Sequence, residues 1–290
     1  MAQAAHSDSA VNAKGALDGA DQRLVRIADV LARQVVLGPS RLLDDETCSR
    51  VRGLLRDLAA QLGVGDAAAI AIVRDTLAAD RAIMTHLHAL TVETQLVAML
   101  AASRGLDPLL PPLVRRRLDA ASAGDVSAEV ATAMLAAQSR VGQALRRMRL
   151  PFDELPGDLQ HLAHTIAEHA AAAPVPRHRA PDGSQTRLSL LRRVLDGLGD
   201  DLPMALRIDE AGLPLFLSAL ALASGHAREG VALACGEDDP VRLALLLRAA
   251  GLPVDQAKAQ LLAIRPDADP ALVMLAPDGA SAEMLLAGAA

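Results

Sequence analysis

Tryptophan and tyrosine are absent from this 290-residue chain, and phenylalanine occurs only at Phe152 and Phe216. With so few rings there is no aromatic platform on which nucleobases or sugars could stack, and no phenol to act as a general acid. Cysteine is almost as scarce. Cys48 and Cys235 stand far apart and outside any CxxC pattern, so neither a zinc site nor a disulfide framework is indicated, and both read as small buried hydrophobes. No uncharged apolar run in the sequence reaches the ~18 residues of a membrane span. The first residues lack the basic-then-apolar order of a secretory signal. The sequence contains no P-loop, GxGxxG, GxSxG or EF-hand pattern. Excess positive charge is missing too. The net charge is −6 and the pI about 5.7, which disfavours nucleic acid and anionic membranes as main partners. These absences lead to the expectation of a soluble, cytoplasmic protein without a cofactor.

What is present is aliphatic. Hydrophobic residues make up 51% of the chain, and they are mostly Leu, Ala, Val and Ile, which suit closely packed helices. The length allows about two domains of ~150 residues. From Asp21 onward, apolar residues recur at three- and four-residue steps. Leu24, Ile27, Ala28, Leu31 and Val35 form a stripe that Gly38-Pro39 stops. Asp44 is a candidate cap for a helix carrying Val51, Leu54, Leu55, Leu58 and Leu62, and Asp66 opens one carrying Ile70, Val73 and Leu77. Further stripes run through Ile83 to Leu100, Val114 to Leu118, Val130 to Met148, and Leu159 to Ile166. No window alternates apolar and polar residues with β-branched enrichment, so the expected class is all-α with no strands.

Residues 174–186 (PVPRHRAPDGSQT) combine three prolines, a glycine and polar residues, the composition of a linker. The expected organisation is a flexible tail over 1–20, an N-terminal helical domain over 21–173, this linker, and a C-terminal helical domain over 187–290. The C-terminal part repeats its punctuation. Asp239-Pro240 and Asp269-Pro270 each place a capping carboxylate before a proline. Ala-Gly-Leu-Pro occurs at 211–214 and 250–253, where the glycine supplies a left-handed cap. A spacing of ~40 residues is that of two-helix solenoid repeats. The architecture is therefore either HEAT-like and repetitive or an irregular helical bundle.

Two histidine groups carry candidate chemistry. His161 and His164 stand three apart on one helical face and are candidate metal ligands, but neither an HExxH pattern nor a convincing third ligand accompanies them. His86 and His88 are candidate phosphoacceptors. The stretch from His88, HALTVETQLVAMLAAS, resembles the phosphoacceptor helix of one histidine-kinase subclass, with Glu93 and Gln95 as acidic and amide partners. It departs from that pattern at Ala89, Thr91 and Val92, and no nucleotide-binding boxes follow. The basic runs at 115–117 and 146–149 point around their helices and are not interleaved with aromatics, so they read as ion-pairing surfaces.

The stretches AMLAAQSRV (133–141), ELPGDLQH (154–161) and LALLLRAAGL (243–252), with Leu215-Phe216, together resemble a bacterial family called domain of unknown function 2336. The resemblance spans about Asp21 to Ile264. It implies a helical, repeat-like protein and supplies no catalytic residues. The leading expectation is a non-enzymatic interaction or adaptor module that binds another protein or a second copy of itself. The alternatives are a degenerate phosphotransfer protein using His86 or His88, and a helical enzyme with a dispersed site. The apolar, nearly uncharged C-terminal segment is the expected interface, through Leu272, Met274, Leu275, Met284, Leu285 and Leu286.

Overall fold

The structure is a computed structural model that describes residues 45–62, 67–122, 124–171 and 183–288. Among these, twelve α-helices and four short 3-10 helices are present and no strand. The protein is an all-α helical bundle. The expected tail, the stripe from Leu24 to Val35, the caps at Asp44 and Asp66, and linker positions 174–182 lie outside the described residues.

The helices group into two compact units. The first holds residues 45–94 and 114–198, and the second holds 95–113 and 199–288. This moves the expected division of the chain. The helix after the linker packs on Val126–Arg146 and belongs to the first unit, so the break falls near Leu198 and not at 187. The described end of the linker is ordered: Gly183–Gln185 forms a 3-10 turn, and Thr186 caps the next helix by accepting from the Ser189 amide at 3.2 Å.

The first unit contains α1 (Asp45–Gln61), α2 (Ala67–Ala79), the start of α3 (Arg81–Arg104), then α4 (Pro112–Asp119), α5 (Val126–Arg146), α6 (Gly157–Ala171) and α7 (Arg187–Asp196). Its core follows the sequence stripes. Val51, Leu55 and Leu58 of α1 meet Val73 and Leu77 of α2, Ile83 and Leu87 of α3, and Ala163 and Ala167 of α6, all fully buried. Asp80 separates α2 from α3 and caps the latter by accepting from the Ile83 amide at 3.0 Å. After α5 the chain turns sharply at Met148, which has φ 55, and Pro151 prevents helical continuation. Side chains of α1 satisfy this turn. Asp57 accepts from the Leu150 amide at 2.9 Å, Gln61 donates to the Leu150 carbonyl at 2.7 Å, and Gln61 accepts from the Phe152 amide at 2.9 Å.

In the second unit, α8 (Ile208–Ser224), α9 (Arg228–Gly236), α11 (Val254–Ile264) and α12 (Gly279–Ala287) surround α10 (Val241–Ala249). Eight of the nine residues of α10 are buried, Val241 and Leu243 to Ala249, as befits a mostly apolar helix at the centre of the unit. The Ala-Gly-Leu-Pro glycines both need positive φ, 66° at Gly212 and 80° at Gly251. The two turns nonetheless differ. Gly251 closes α10, with the Leu252 amide reaching the Leu247 carbonyl at 3.3 Å. Gly212 sits at ψ 161 as a kink inside α8, where a Cβ would come within 3.3 Å of the Pro111 ring. The recurrence is thus shared turn chemistry. Asp239 and Asp269 cap as their sequence suggests, accepting from the Val241 amide at 3.2 Å and the Ala271 amide at 2.8 Å.

Candidate functional site

The histidines are placed where most of their candidate chemistry is denied. His86 is 3% exposed within α3, so it does not offer the open face that phosphate transfer needs. His88 is partly covered, and burial pushes its imidazole down to about 4. His161 is exposed on α6, whereas His164 turns inward and meets the Phe152 ring edge-on at 4.7 Å. No cluster of three His, Cys, Asp or Glu suited to a metal occurs among the described residues. The two cysteines are buried, and desolvation with the nearby Glu237 charge pushes the Cys235 thiol up to about 12.

The state of His88 has a consequence for stability. The unfolded imidazole takes up a proton near pH 6.5, but the folded one does so only near 4. Between those values the unfolded chain holds the extra proton, so stability is full above pH 6.5 and falls as the pH drops through this window. The full loss is on the order of 3 kcal/mol. Denaturant titrations at several pH values should show a shallower acid loss for His88→Gln than for the wild type; identical slopes would remove this account.

The most demanding polar arrangement is also in the first unit. Glu93 of α3 and Arg187 of α7 form a bidentate pair at 2.7 and 3.2 Å, each with its side chain 4% exposed. The Gln138 side-chain oxygen accepts from the same guanidinium at 3.4 Å, and Glu154 accepts from the Arg187 amide at 2.7 Å. Burial opposes the charge on Arg187, but Glu93, through its charge and hydrogen bonds, and then Glu154 hold the guanidinium above its ordinary value. This network reads as structural, because its carboxylate and cation are committed to each other.

The first unit has a shallow crevice of about 380 Å³ between Arg117, Val126, Val130 and Arg193, and two larger openings belong to the second unit. A groove of about 430 Å³ is lined by Leu202, Pro203 and Leu206 of the 3-10 helix Gly199–Leu206, by Ala219, Leu222 and Ala223 of α8, and by residues 250–253 with Gln256. Leu202 and Leu222 remain 38% and 39% exposed. Gln256 also borders a second crevice of about 530 Å³, whose polar residues are Arg104, Arg207, Asp209, Asp255 and Gln260. There Arg207 pairs with Asp209 at 2.9 Å, Arg104 donates to the Leu262 carbonyl at 2.9 Å, and the buried Gln260 accepts from the Ile208 amide at 2.9 Å. An apolar trough therefore runs into a mixed-charge crevice across a single amide side chain.

The expected C-terminal interface divides. Leu286 is 5% exposed, and Leu272, Leu275 and Leu285 are only partly so; Met274 and Met284 stand out at 57% and 70%. The correction has a clear cause. Helix α12 and the 3-10 helix Pro270–Met274 both pack on α10, and Val273, Ala276, Ala282 and Leu286 are buried. Arg248 fastens the segment by donating to the carbonyls of Leu252 and Pro277 at 2.6 Å each and of Ala276 at 3.4 Å. The groove, by contrast, was missed. Its walls come from three separated stretches, and only the exposure of Leu202 and Leu222 in the folded chain reveals it.

Among the described residues, no single helix is long and apolar enough to cross a membrane. Comparison with family models, with curated proteins and with solved structures gives no match for this chain.

Proposed function

We propose that the protein is a non-enzymatic helical binding module, and that its second unit receives the apolar face of an amphipathic helix from another protein. The observation that carries this reading is the open aliphatic groove bounded by Leu202, Leu206, Leu222, Leu252 and Pro253. Such troughs between helices are a recurring way to bind a helix through anchors at i, i+3 and i+7. The absence of rings in the lining favours aliphatic anchors over aromatic ones. The neighbouring crevice presents two arginines and two aspartates, which suits a helix with charged flanks of both signs; the carboxylate of a fatty acid would meet Asp209 and Asp255 as well as the cations. A phosphotransfer role is disfavoured by the burial of His86 and His88.

A photo-crosslinking amino acid at Leu222 of the full chain, expressed in its host, should give a discrete adduct with a second protein. The adduct should disappear when Leu202→Asp is added. The same probe at the exposed Arg192 of α7 should not produce it. Equal adducts from both positions would remove the groove as the binding surface.

A further inference from the structure

The crevice of about 530 Å³ lies wholly within the second unit, and its uncommitted charges are ordered along α11. Asp255 stands in the first turn of α11, exposed and without a partner among the described residues. Arg104 marks the other end, where it donates to the Leu262 carbonyl and makes no other hydrogen bond among the described residues. From Asp255 to Leu262 the helix rises about 10 Å, at ~1.5 Å per residue. Between these ends Gln260 lines the crevice while only 6% exposed. Its Oε1 accepts from the Ile208 amide at 2.9 Å, which fixes the orientation of the side-chain amide. The Nε2 donor is left without a partner among the described residues, and a buried N–H beside an opening calls for an acceptor. The other two charges of the lining, Arg207 and Asp209, pair with each other at 2.9 Å. Leu106, Ile208, Ala259 and Ala263 supply the apolar surface.

A ligand that answers all of these groups carries a cation at one end, an anion at the other and a carbonyl between them. A plain anion brings nothing for Asp255, and a plain cation meets Arg104. A single amino acid holds its two charges on one carbon and cannot reach both ends. An extended chain advances ~3.3–3.6 Å per residue, so about three residues with free termini span the distance. We propose that the crevice is a binding site for a short aliphatic peptide with both termini free. Its ammonium pairs with Asp255, its carboxylate with Arg104, and one of its backbone carbonyls accepts from Gln260 Nε2. Its side chains rest on Ile208, Ala259 and Ala263. This site goes beyond the helix-docking reading of the groove and does not depend on it.

Methyl NMR of the full chain titrated with trileucine tests the site. The Ile208, Ala259 and Ala263 methyl signals should move together and saturably. N-acetyl-trileucine and trileucine amide should each bind roughly threefold more weakly or worse, the scale of one exposed ion pair. Asp255→Lys changes an exposed position, and it should weaken trileucine while binding N-succinyl-trileucine, anionic at both ends, more tightly than the wild type does. Gln260→Glu keeps an acceptor for the Ile208 amide but loses the donor, and should weaken trileucine by about tenfold, since a charge-assisted or buried hydrogen bond is replaced by repulsion. No saturable shift, equal affinity for the blocked peptides, or unchanged affinities in Asp255→Lys would overturn the site. Shifts confined to Leu202 and Leu222 would seat the peptide in the groove, removing the crevice site and leaving the helix-docking reading standing. Saturable crevice shifts with no Leu222 adduct would do the reverse.

Discussion

Arg187→Met should destabilise the first unit by about 3–5 kcal/mol, because it leaves the Glu93 carboxylate buried without its cation. Glu93 is 3% exposed, and the bidentate guanidinium is the partner that makes its charge tolerable. Gln138, the other side chain on the guanidinium, carries no charge and cannot replace the cation. The double variant Glu93→Leu, Arg187→Met should recover much of the loss, as removal of a whole buried pair is often neutral or better. Urea denaturation followed by helical circular dichroism, on both single variants and the double, gives the coupling directly. If the double variant is as unstable as the sum of the singles, the pair is not acting as a unit.

The second large effect is expected at Phe216. Among the described residues it is the bulkiest fully buried side chain, 0% exposed within α8. Phe216→Ala should cost about 3–5 kcal/mol through lost transfer energy and the cavity left behind. Phe216→Leu keeps most of the volume and should cost less than ~1.5 kcal/mol. Against the ~5–15 kcal/mol of a typical domain, the alanine variant should show a clearly lowered unfolding midpoint. A loss below about 1 kcal/mol would mean that the unit collapses around the site more readily than its packing indicates.

The sequence was most informative where chemistry is local. The stripe Val51, Leu54, Leu55, Leu58 and Leu62 is the buried face of α1 and its final turn, because helical period alone decides which side faces inward. The glycines of the two Ala-Gly-Leu-Pro copies adopt positive φ, and the two Asp-Pro pairs cap, because each depends on neighbours a few residues away. Long-range pairing left no such trace. Glu93 and Arg187 are 94 positions apart, and Arg187 lies at the edge of a proline-rich stretch that suggests a linker. The domain division failed for the same reason: composition marks where a chain is irregular, whereas packing of α7 on α5 decides which unit the next helix joins. The C-terminal interface divides for a different reason, with Met274 and Met284 exposed and Leu286 buried. A nearly uncharged apolar helix is equally suited to a partner or to its own core, and Arg248 with the α10 surface turns only one of its faces to the core.

The turn between α5 and α6 has a kinetic consequence. Its amides at Leu150 and Phe152 are donated to side chains of α1 and not to helical carbonyls of their own neighbourhood. Solvent deuterium can reach them only when α1 lifts away, so their exchange belongs to the opening of α1. In a time course followed residue by residue, Leu150 and Phe152 should exchange with the slow amides of α1, whereas the amides of Arg147 and Arg149, bonded to the Ala144 carbonyl within their own turn, should exchange independently of α1. Asp57→Ala should release Leu150 selectively, making a loop amide the reporter of a helix nearly a hundred residues before it.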